Sequence, residues 1–382
     1  MKIRASIEDS YDLHISQEIA ESIQADKQYP DVYYIILDAY GRADKLMDYF
    51  GYDNSEFLDE MKARGFFVAS KSRSNYSATL YSLASSLNIS HLDAVPEIYT
   101  QNSVPENVWD MYLNRITTEM IINNEMQKLF RSRGYQIVNV HSWIWKTKFR
   151  DADIYVEFTN HGRDDFSSLD IKYLLNPFEQ LLIDTTLFRT FTNIYQELKE
   201  AEDDLQREKV LYSFEHLPDY TKEPGSYFIF AHIFAPHFPY VFGPEGGPAN
   251  NDQDEAKQYS DQVTYLNKLV LETVDQILSS SETPPIIILQ GDHGPNYQED
   301  LDNPGKEMVD MRTAMLNLYY FPEEYGDSFL YPNITPVNTF RIISNTIFET
   351  QYPMLPDESY YTKFRDSEFF EICDVFEICE DK

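Results

Sequence analysis

Residues Ile286 to Gly294 read IIILQGDHG. An unbroken run of apolar, mostly β-branched residues fits a strand buried on both faces, the pattern of a parallel sheet covered by helices on each side. The run stops at Asp292 and His293, and open α/β sheets place their chemistry just beyond the carboxyl ends of such strands. An Asp beside a neutral imidazole is also an ordinary ligand pair for a divalent cation, although a turn after a strand can use the same residues. A second segment narrows the choice. Asp31 to Leu37, DVYYIIL, is another short apolar run, and it too ends in an acid, at Asp38-Ala39-Tyr40-Gly41-Arg42. Asp38 could simply cap the next helix. If the two strands are neighbours in one sheet, Asp38, Asp292 and His293 converge and can share one metal.

Between these strands lies Ser74 to Ile89, SNYSATLYSLASSLNI, in which hydroxyls are followed by small and apolar residues at helical spacing. The pattern predicts a helix with Thr79 near its N-terminus, where backbone N–H groups and the positive end of the helix dipole face an anion. Ser74, Ser77, Thr79 and Ser82 are each also suited to capping, so spacing alone leaves their roles open.

The order of strand-Asp38, then Thr79, then a late Gly291-Asp292-His293-Gly294 resembles the alkaline phosphatase superfamily, and specifically its sulfatase-like branch with the lipoteichoic acid synthases. In related members a nucleophile leads a Thr-x-Pro-Ser-x-Ala-Ser frame. Thr79-Leu80-Tyr81-Ser82-Leu83-Ala84-Ser85 is similar to it, with Tyr81 in place of the proline. Ala231 to Tyr240, AHIFAPHFPY, resembles the family's strand and His-x-Pro segment, whose His contacts the transferred group and stands here at His237. Arg312, Asn317 to Pro322, and Pro336 to Arg341 (PVNTFR) extend the likeness over roughly residues 28 to 357.

The resemblance implies a mixed, mostly parallel α/β sheet flanked by helices on both faces. It implies Thr79 and His237 as catalytic groups, and Asp38, Thr79, Asp292 and His293 as metal ligands. His237, His232, Lys71, Arg73 and Arg312 are the expected contacts of the anionic substrate. Many two-metal relatives carry a second acid beside the first and another His after the Asp-His pair. Here Ala39 and Tyr40 follow Asp38 and no His follows His293. One divalent ion is therefore expected, Mn²⁺ or Zn²⁺, with Mg²⁺ or Ca²⁺ as further options. Formylglycine sulfatases oxidise a Cys or Ser, which Thr79 cannot replace. The expected chemistry is attack of a threonine oxygen on phosphorus with a covalent phospho-enzyme, the metal activating hydroxyl and phosphate. Hydrolysis of sulfate or phosphonate esters on the same frame, or an idle binding ectodomain, are the alternatives. Water as acceptor gives a hydrolase, and a glycan or lipid hydroxyl gives a transferase.

The net charge of −33 over 382 residues repels nucleic acid and anionic membranes. Against it, residues 61 to 92 hold no acid but do hold Lys62, Arg64, Lys71 and Arg73, leading into Thr79; Lys146, Lys148 and Arg150 follow His141 and Trp143. Each cluster reads either as a solvated face or as a local positive field that draws in an anionic ester, glycan- or lipid-linked esters among them. Two cysteines, Cys373 and Cys379, make no disulfide framework. No stretch approaches the roughly eighteen apolar residues of a membrane span, so any membrane link would run through a segment outside this sequence. Relatives often carry this domain outside the cell behind membrane helices, which implies an extracytoplasmic place and leaves a cytoplasmic one open.

Strand signals at 31–37, 135–140, 226–233 and 285–290 alternate with helical patterns at 55–64, 117–133, 201–217 and 257–280, an α/β order. Gly65 and Gly134 fall where helix C-caps belong. The expected organisation is a stem or linker at 1–27, a catalytic domain at 28–360 with a polar insertion or lid at 160–222, and an acidic tail at 361–382. Phe369, Phe370, Ile372, Phe376 and Ile378 among the acids of that tail suit a docked terminal strand or helix.

Overall fold

The computed structural model describes residues 29–92, 109–140, 143–158, 192–221, 223–295, 305–362 and 369–372. The 1–27 segment, residues 160–191 of the expected insertion, His141, Cys373, Phe376, Ile378 and Cys379 lie outside the described residues.

Seven strands form the main sheet: β1 (Val32–Leu37), β2 (Phe67–Val68), β3 (Gln136–Val140), β4 (Ile154–Val156), β5 (Tyr227–Ile233), β6 (Ile286–Gly291) and β7 (Asn317–Tyr320), in the order β2-β7-β6-β1-β5-β3-β4. β1 lies at the centre, parallel to β5 and β6, and β3 is parallel to β5 and β4. Only β7 runs against its neighbours, antiparallel to β6 and to β2. The sheet is thus mixed and mostly parallel, as expected.

Helices cover both faces because adjacent strand residues point to opposite sides. Tyr34, Ile36, Phe228, Phe230, Ile286 and Ile288 face one core. Against them pack α3 (Thr79–Leu87), α4 (Trp109–Ile122), α5 (Glu125–Ser132) and α9 (Pro336–Ile347). Tyr33, Ile35, Leu37, Ile229, Ile287 and Leu289 face the other. There α1 (Ala43–Phe50), α2 (Ser55–Ala63), α6 (Thr192–His216) and α7 (Glu255–Ser280) close the sandwich. The predicted 117–133 helix is two helices, because Asn124 breaks the run and caps α5 by accepting from Gln127 N at 2.9 Å. Gly65 and Gly134 have φ of +90° and +85° just past α2 and α5, the left-handed turn that only Gly adopts at no steric cost. Helix α6 falls inside the expected insertion, yet it is docked through Val210 and Phe214. The start of the tail is docked too. β8 (Tyr360–Thr362) pairs antiparallel with β9 (Phe369–Glu371), and Ile372 is buried with Tyr361, Met308 and Val309.

Candidate metal and phosphoryl site

Strand register creates the site. Leu37 pairs with Gly291 on one side and Ile233 on the other, so Asp38, Asp292 and Phe234 leave the sheet at one level. Asp38 is 0%, Asp292 1% and His293 1% exposed. Asp292 Oδ1 accepts the backbone N–H groups of Ala39 and of His293, both at 2.9 Å, which leaves Oδ2 turned toward Asp38. Neither carboxylate oxygen of Asp38, nor Asp292 Oδ2, has a hydrogen-bond partner among the described residues. Burying such charges unpaired costs several kcal/mol or more, so the arrangement fits a cation that the protein expects to bind.

Three histidines surround the acids. His293 Nε2 lies 3.3 Å from Asp292 Oδ2 and 3.9 Å from Asp38 Oδ1. Its Nδ1 meets Gly294 O at 2.8 Å, and since a carbonyl only accepts, Nδ1 carries the proton and Nε2 presents a lone pair. His232, on β5, is the second imidazole at the acids. Thr147 Oγ donates to Ile144 O at 2.9 Å and lies 3.0 Å from His232 Nδ1, and His232 Nε2 lies 3.3 Å from Asp38 Oδ2. Lone pairs facing carboxylates are mutually repulsive without a cation between them. Asp38, His232 and Asp292 place ligand atoms within 4.8 Å of one another, a spacing that bonds of roughly 2 Å to one ion can bridge with small shifts. A divalent metal site is the reading these donors support. Burial, with Arg312 adding to it, pushes the His293 imidazole down to about 4 against the pull of Asp292 and Asp38, so it is neutral at pH 7. Burial pushes the Asp38 carboxyl up, but His237, His232 and His293, which act on it only in their protonated forms at low pH, outweigh burial there and leave the group below the usual carboxylate range.

Thr79 Oγ is 3.2 Å from His293 Nε2. It is the first residue of α3, and the cap position before it is Ala78, which has no side-chain cap bond. Thr79 is therefore not the N-cap of its helix. Its competitors have other tasks or no tie to the acids. Ser82 Oγ donates to Asp292 O at 2.7 Å and holds the Asp-His loop, and Ser85 Oγ donates to Ser90 O. Arg312, on α8 (Lys306–Thr313), donates through Nε to Ser77 O at 2.7 Å and brings NH2 to 3.5 Å from His293 Nε2. It sits between the threonine segment and the Asp-His loop. His237 stacks on Phe234 with ring centroids 4.6 Å apart, and its charge, when it is protonated, acts on Asp38.

Asp38, Thr79, His232, Asp292, His293 and Arg312 thus meet at one end of the sheet, with His237 beside them. The two remaining expected substrate contacts are placed otherwise. Arg73 is held by Asp310 at 2.5 Å and by Thr313 Oγ at 2.9 Å, and Lys71 is exposed at a turn whose N–H donates to Pro332 O. The sequence had suggested His232 only as a substrate contact. Its place among the ligand groups depends on Thr147, which carries no local signal of that role.

The glycines around the Asp-His pair are fixed by close approach. A Cβ on Gly294 would lie 2.0 Å from Met311 O and 2.7 Å from Ala314 O. Neither carbonyl can yield without moving α8 and its C-terminus. Gly294→Ala is expected to cost about 1–3 kcal/mol of stability and to weaken metal binding by displacing His293, measurable by thermal melts with and without added Zn²⁺.

No sequence-family profile matches this chain, and no curated protein sequence does. Solved structures do share its fold. The C-terminal periplasmic domain of EptC from Escherichia coli, in complex with Zn, aligns with a TM-score of 0.56 at 11% identity, covering 93% of this chain and 95% of that one. The lipoteichoic acid synthase LtaP from Listeria monocytogenes aligns at 0.50 with 12% identity, covering 94% and 81%. The C-terminal periplasmic domain of phosphoethanolamine transferase EptC from Campylobacter jejuni gives 0.46 at 11% identity, covering 84% and 89%. The likeness is one of fold, an alkaline phosphatase-like mixed α/β sheet flanked by helices.

Proposed function

We propose that this chain is a metal-dependent enzyme that transfers or hydrolyses phosphate esters, phosphodiesters above all, through Thr79. The observation that carries this reading is the convergence of Asp38, Thr79, Asp292 and His293 from three distant segments, with buried carboxylate oxygens that have no hydrogen-bond partner. Asp38, Thr79, Asp292 and His293 would hold the ion, and His232 Nε2 is a further donor within reach. Manganese and zinc both suit this mixed oxygen and nitrogen set. A bound ion supplies Lewis-acid stabilisation of the phosphoryl oxygens and lowers the pKa of the threonine hydroxyl.

The residues then divide the work. Thr79 Oγ loses its proton to solvent as it bonds phosphorus, and the bond from phosphorus to the departing oxygen breaks with its electron pair on that oxygen. His237, stacked on Phe234 beside the acids, would give the leaving oxygen its proton. In the second half, an acceptor hydroxyl or water bonds phosphorus and releases Thr79 Oγ, which regains a proton. The first N–H groups of helix α3, where Thr79 stands, would favour the anionic phosphoryl oxygens, and Arg312 adds positive charge between Ser77 and His293. The zinc complex of the E. coli neighbour, its periplasmic setting and the synthase activity named for the Listeria one support an extracytoplasmic enzyme acting on a lipid- or glycan-linked ester.

Metal analysis combined with turnover of an aryl phosphodiester, in parent and His237→Gln proteins, tests this assignment. The parent should bind about one ion and release the arylol. His237→Gln should keep the ion and lose on the order of 10²-fold in kcat, the scale of a general acid. Loss of the ion in that variant would instead make His237 a ligand.

A further inference from the structure

The turn that carries Asp38 has a backbone that alanine rarely adopts. Tyr40 N donates to Leu37 O at 3.3 Å and closes a turn over Asp38 and Ala39. Ala39 stands at the third position with φ +62°, in the left-handed region that such turns usually fill with Gly or Asn because a Cβ is strained there. Strain of this kind persists only where the surroundings over-determine it. Its consequence lies next to the acids. In that conformation the Ala39 N–H donates to Asp292 Oδ1 at 2.9 Å, and this bond is one of the two that turn Oδ2 toward Asp38.

A single side chain from the covering helix holds this turn. Tyr259, on α7 and buried, donates its hydroxyl to Ala39 O at 2.9 Å and accepts from Gly41 N at 3.1 Å. One phenol oxygen thus satisfies a backbone group on each side of Tyr40. The other backbone bonds of the turn run to the sheet and its loops: Asp38 N donates to Ile233 O, and Tyr40 O accepts from Leu316 N, both at 3.0 Å. The Tyr259 ring is itself fixed, stacked on Phe50 with centroids 4.6 Å apart and edge-on to Tyr240 at 5.9 Å. A rigid ring therefore sets where the Ala39 carbonyl lies, and with it the direction of the Ala39 N–H.

We propose that Tyr259 is a positioning residue for the metal: it holds Ala39 in its strained conformation, so that Asp292 is oriented before an ion arrives. Asp292 Oδ1 is committed to backbone N–H groups and Oδ2 is left to the ion. Tyr259 acts on the carboxylate through one carbonyl and one peptide unit, and touches neither Asp38 nor Asp292 itself. Without its hydroxyl Ala39 relaxes toward negative φ, the N–H leaves Asp292, and the carboxylate can rotate away from Asp38. Partners that orient metal ligands in this way contribute about 10–100-fold to affinity. This assignment rests on the metal site described above.

Titration calorimetry with Zn²⁺ tests the assignment. Tyr259→Phe should bind Zn²⁺ about 10–100-fold more weakly than the parent. Ala39→Gly should stay within about threefold of the parent, because Gly holds φ +62° at no steric cost. The double variant Tyr259→Phe/Ala39→Gly should recover most of the loss, since the turn then no longer needs to be forced. Tyr135→Phe removes a buried hydroxyl that donates to Pro30 O at 2.8 Å at the other end of the sheet, and should leave affinity unchanged whatever it does to stability. Parental affinity in Tyr259→Phe, or a double variant as weak as Tyr259→Phe, would overturn the assignment. Should Tyr259→Phe fail to fold, amide exchange in the parent decides: in chelator the Ala39 N–H should exchange on the order of 100-fold more slowly than in an unfolded chain, and unprotected exchange would show that the ion sets the turn. A parent protein that binds no Zn²⁺ would instead overturn the metal site itself.

Discussion

Thr79→Ala should stay folded, keep its ion and lose phosphodiester turnover by more than about 10³-fold, the scale of deleting a nucleophile. The side chain lies at the first turn of α3, caps nothing, and has its hydroxyl 3.2 Å from His293, so truncation removes little packing. Two controls isolate the chemistry. Thr79→Ser keeps an oxygen and should retain measurable activity. Ser77→Ala should turn over at nearly the parental rate, because what Ser77 gives the site is the backbone carbonyl that holds Arg312, which the substitution keeps. Ser82→Ala is less neutral than its position in the sequence suggests, since Ser82 Oγ anchors Asp292 O. Parental turnover in Thr79→Ala with a dead Ser77→Ala would move the nucleophile two residues upstream.

Asp38→Asn should act in opposite directions on the two forms of the protein. With metal present, affinity should fall by more than about 100-fold, beyond the 10–100-fold typical of residues that only support ligands. Without metal, stability should rise by about 1 kcal/mol or more, because a fully buried charge without a hydrogen-bond partner is removed from beside Asp292. Melts of parent and variant in chelator and in Zn²⁺ would show the crossing. A variant that is destabilised equally in both conditions would mean that Asp38 is a structural acid.

Much of this arrangement was legible in the chain. The central strands announced themselves as apolar runs, because burial on both faces removes the polar alternation that hides edge strands. Asp38 and Asp292 stood out since each interrupts such a run. The antiparallel β7 and the short edge strands β2 and β4 were not read, because four or fewer residues give no periodicity to count. Thr79 was distinguishable from Ser77 and Ser82 only through resemblance, and the geometry now separates them by their hydrogen bonds. The place of His232 beside Asp38 could not be foreseen, because its ring is held by Thr147, which is far away in sequence. Arg73 looked like a substrate contact from its basic surroundings, whereas the fold brings Asp310 to it across a long sequence separation.

Diffraction from crystals soaked with Zn²⁺ or Mn²⁺ and a phosphate analogue, recorded at the metal's absorption edge, tests the central claim most directly. The account predicts one anomalous peak about 2 Å from oxygens of Asp38 and Asp292 and from a histidine Nε2, with Thr79 Oγ beside both the ion and the phosphorus. An ion bound elsewhere, or Asp38 and Asp292 linked only through water at saturating metal, would contradict it.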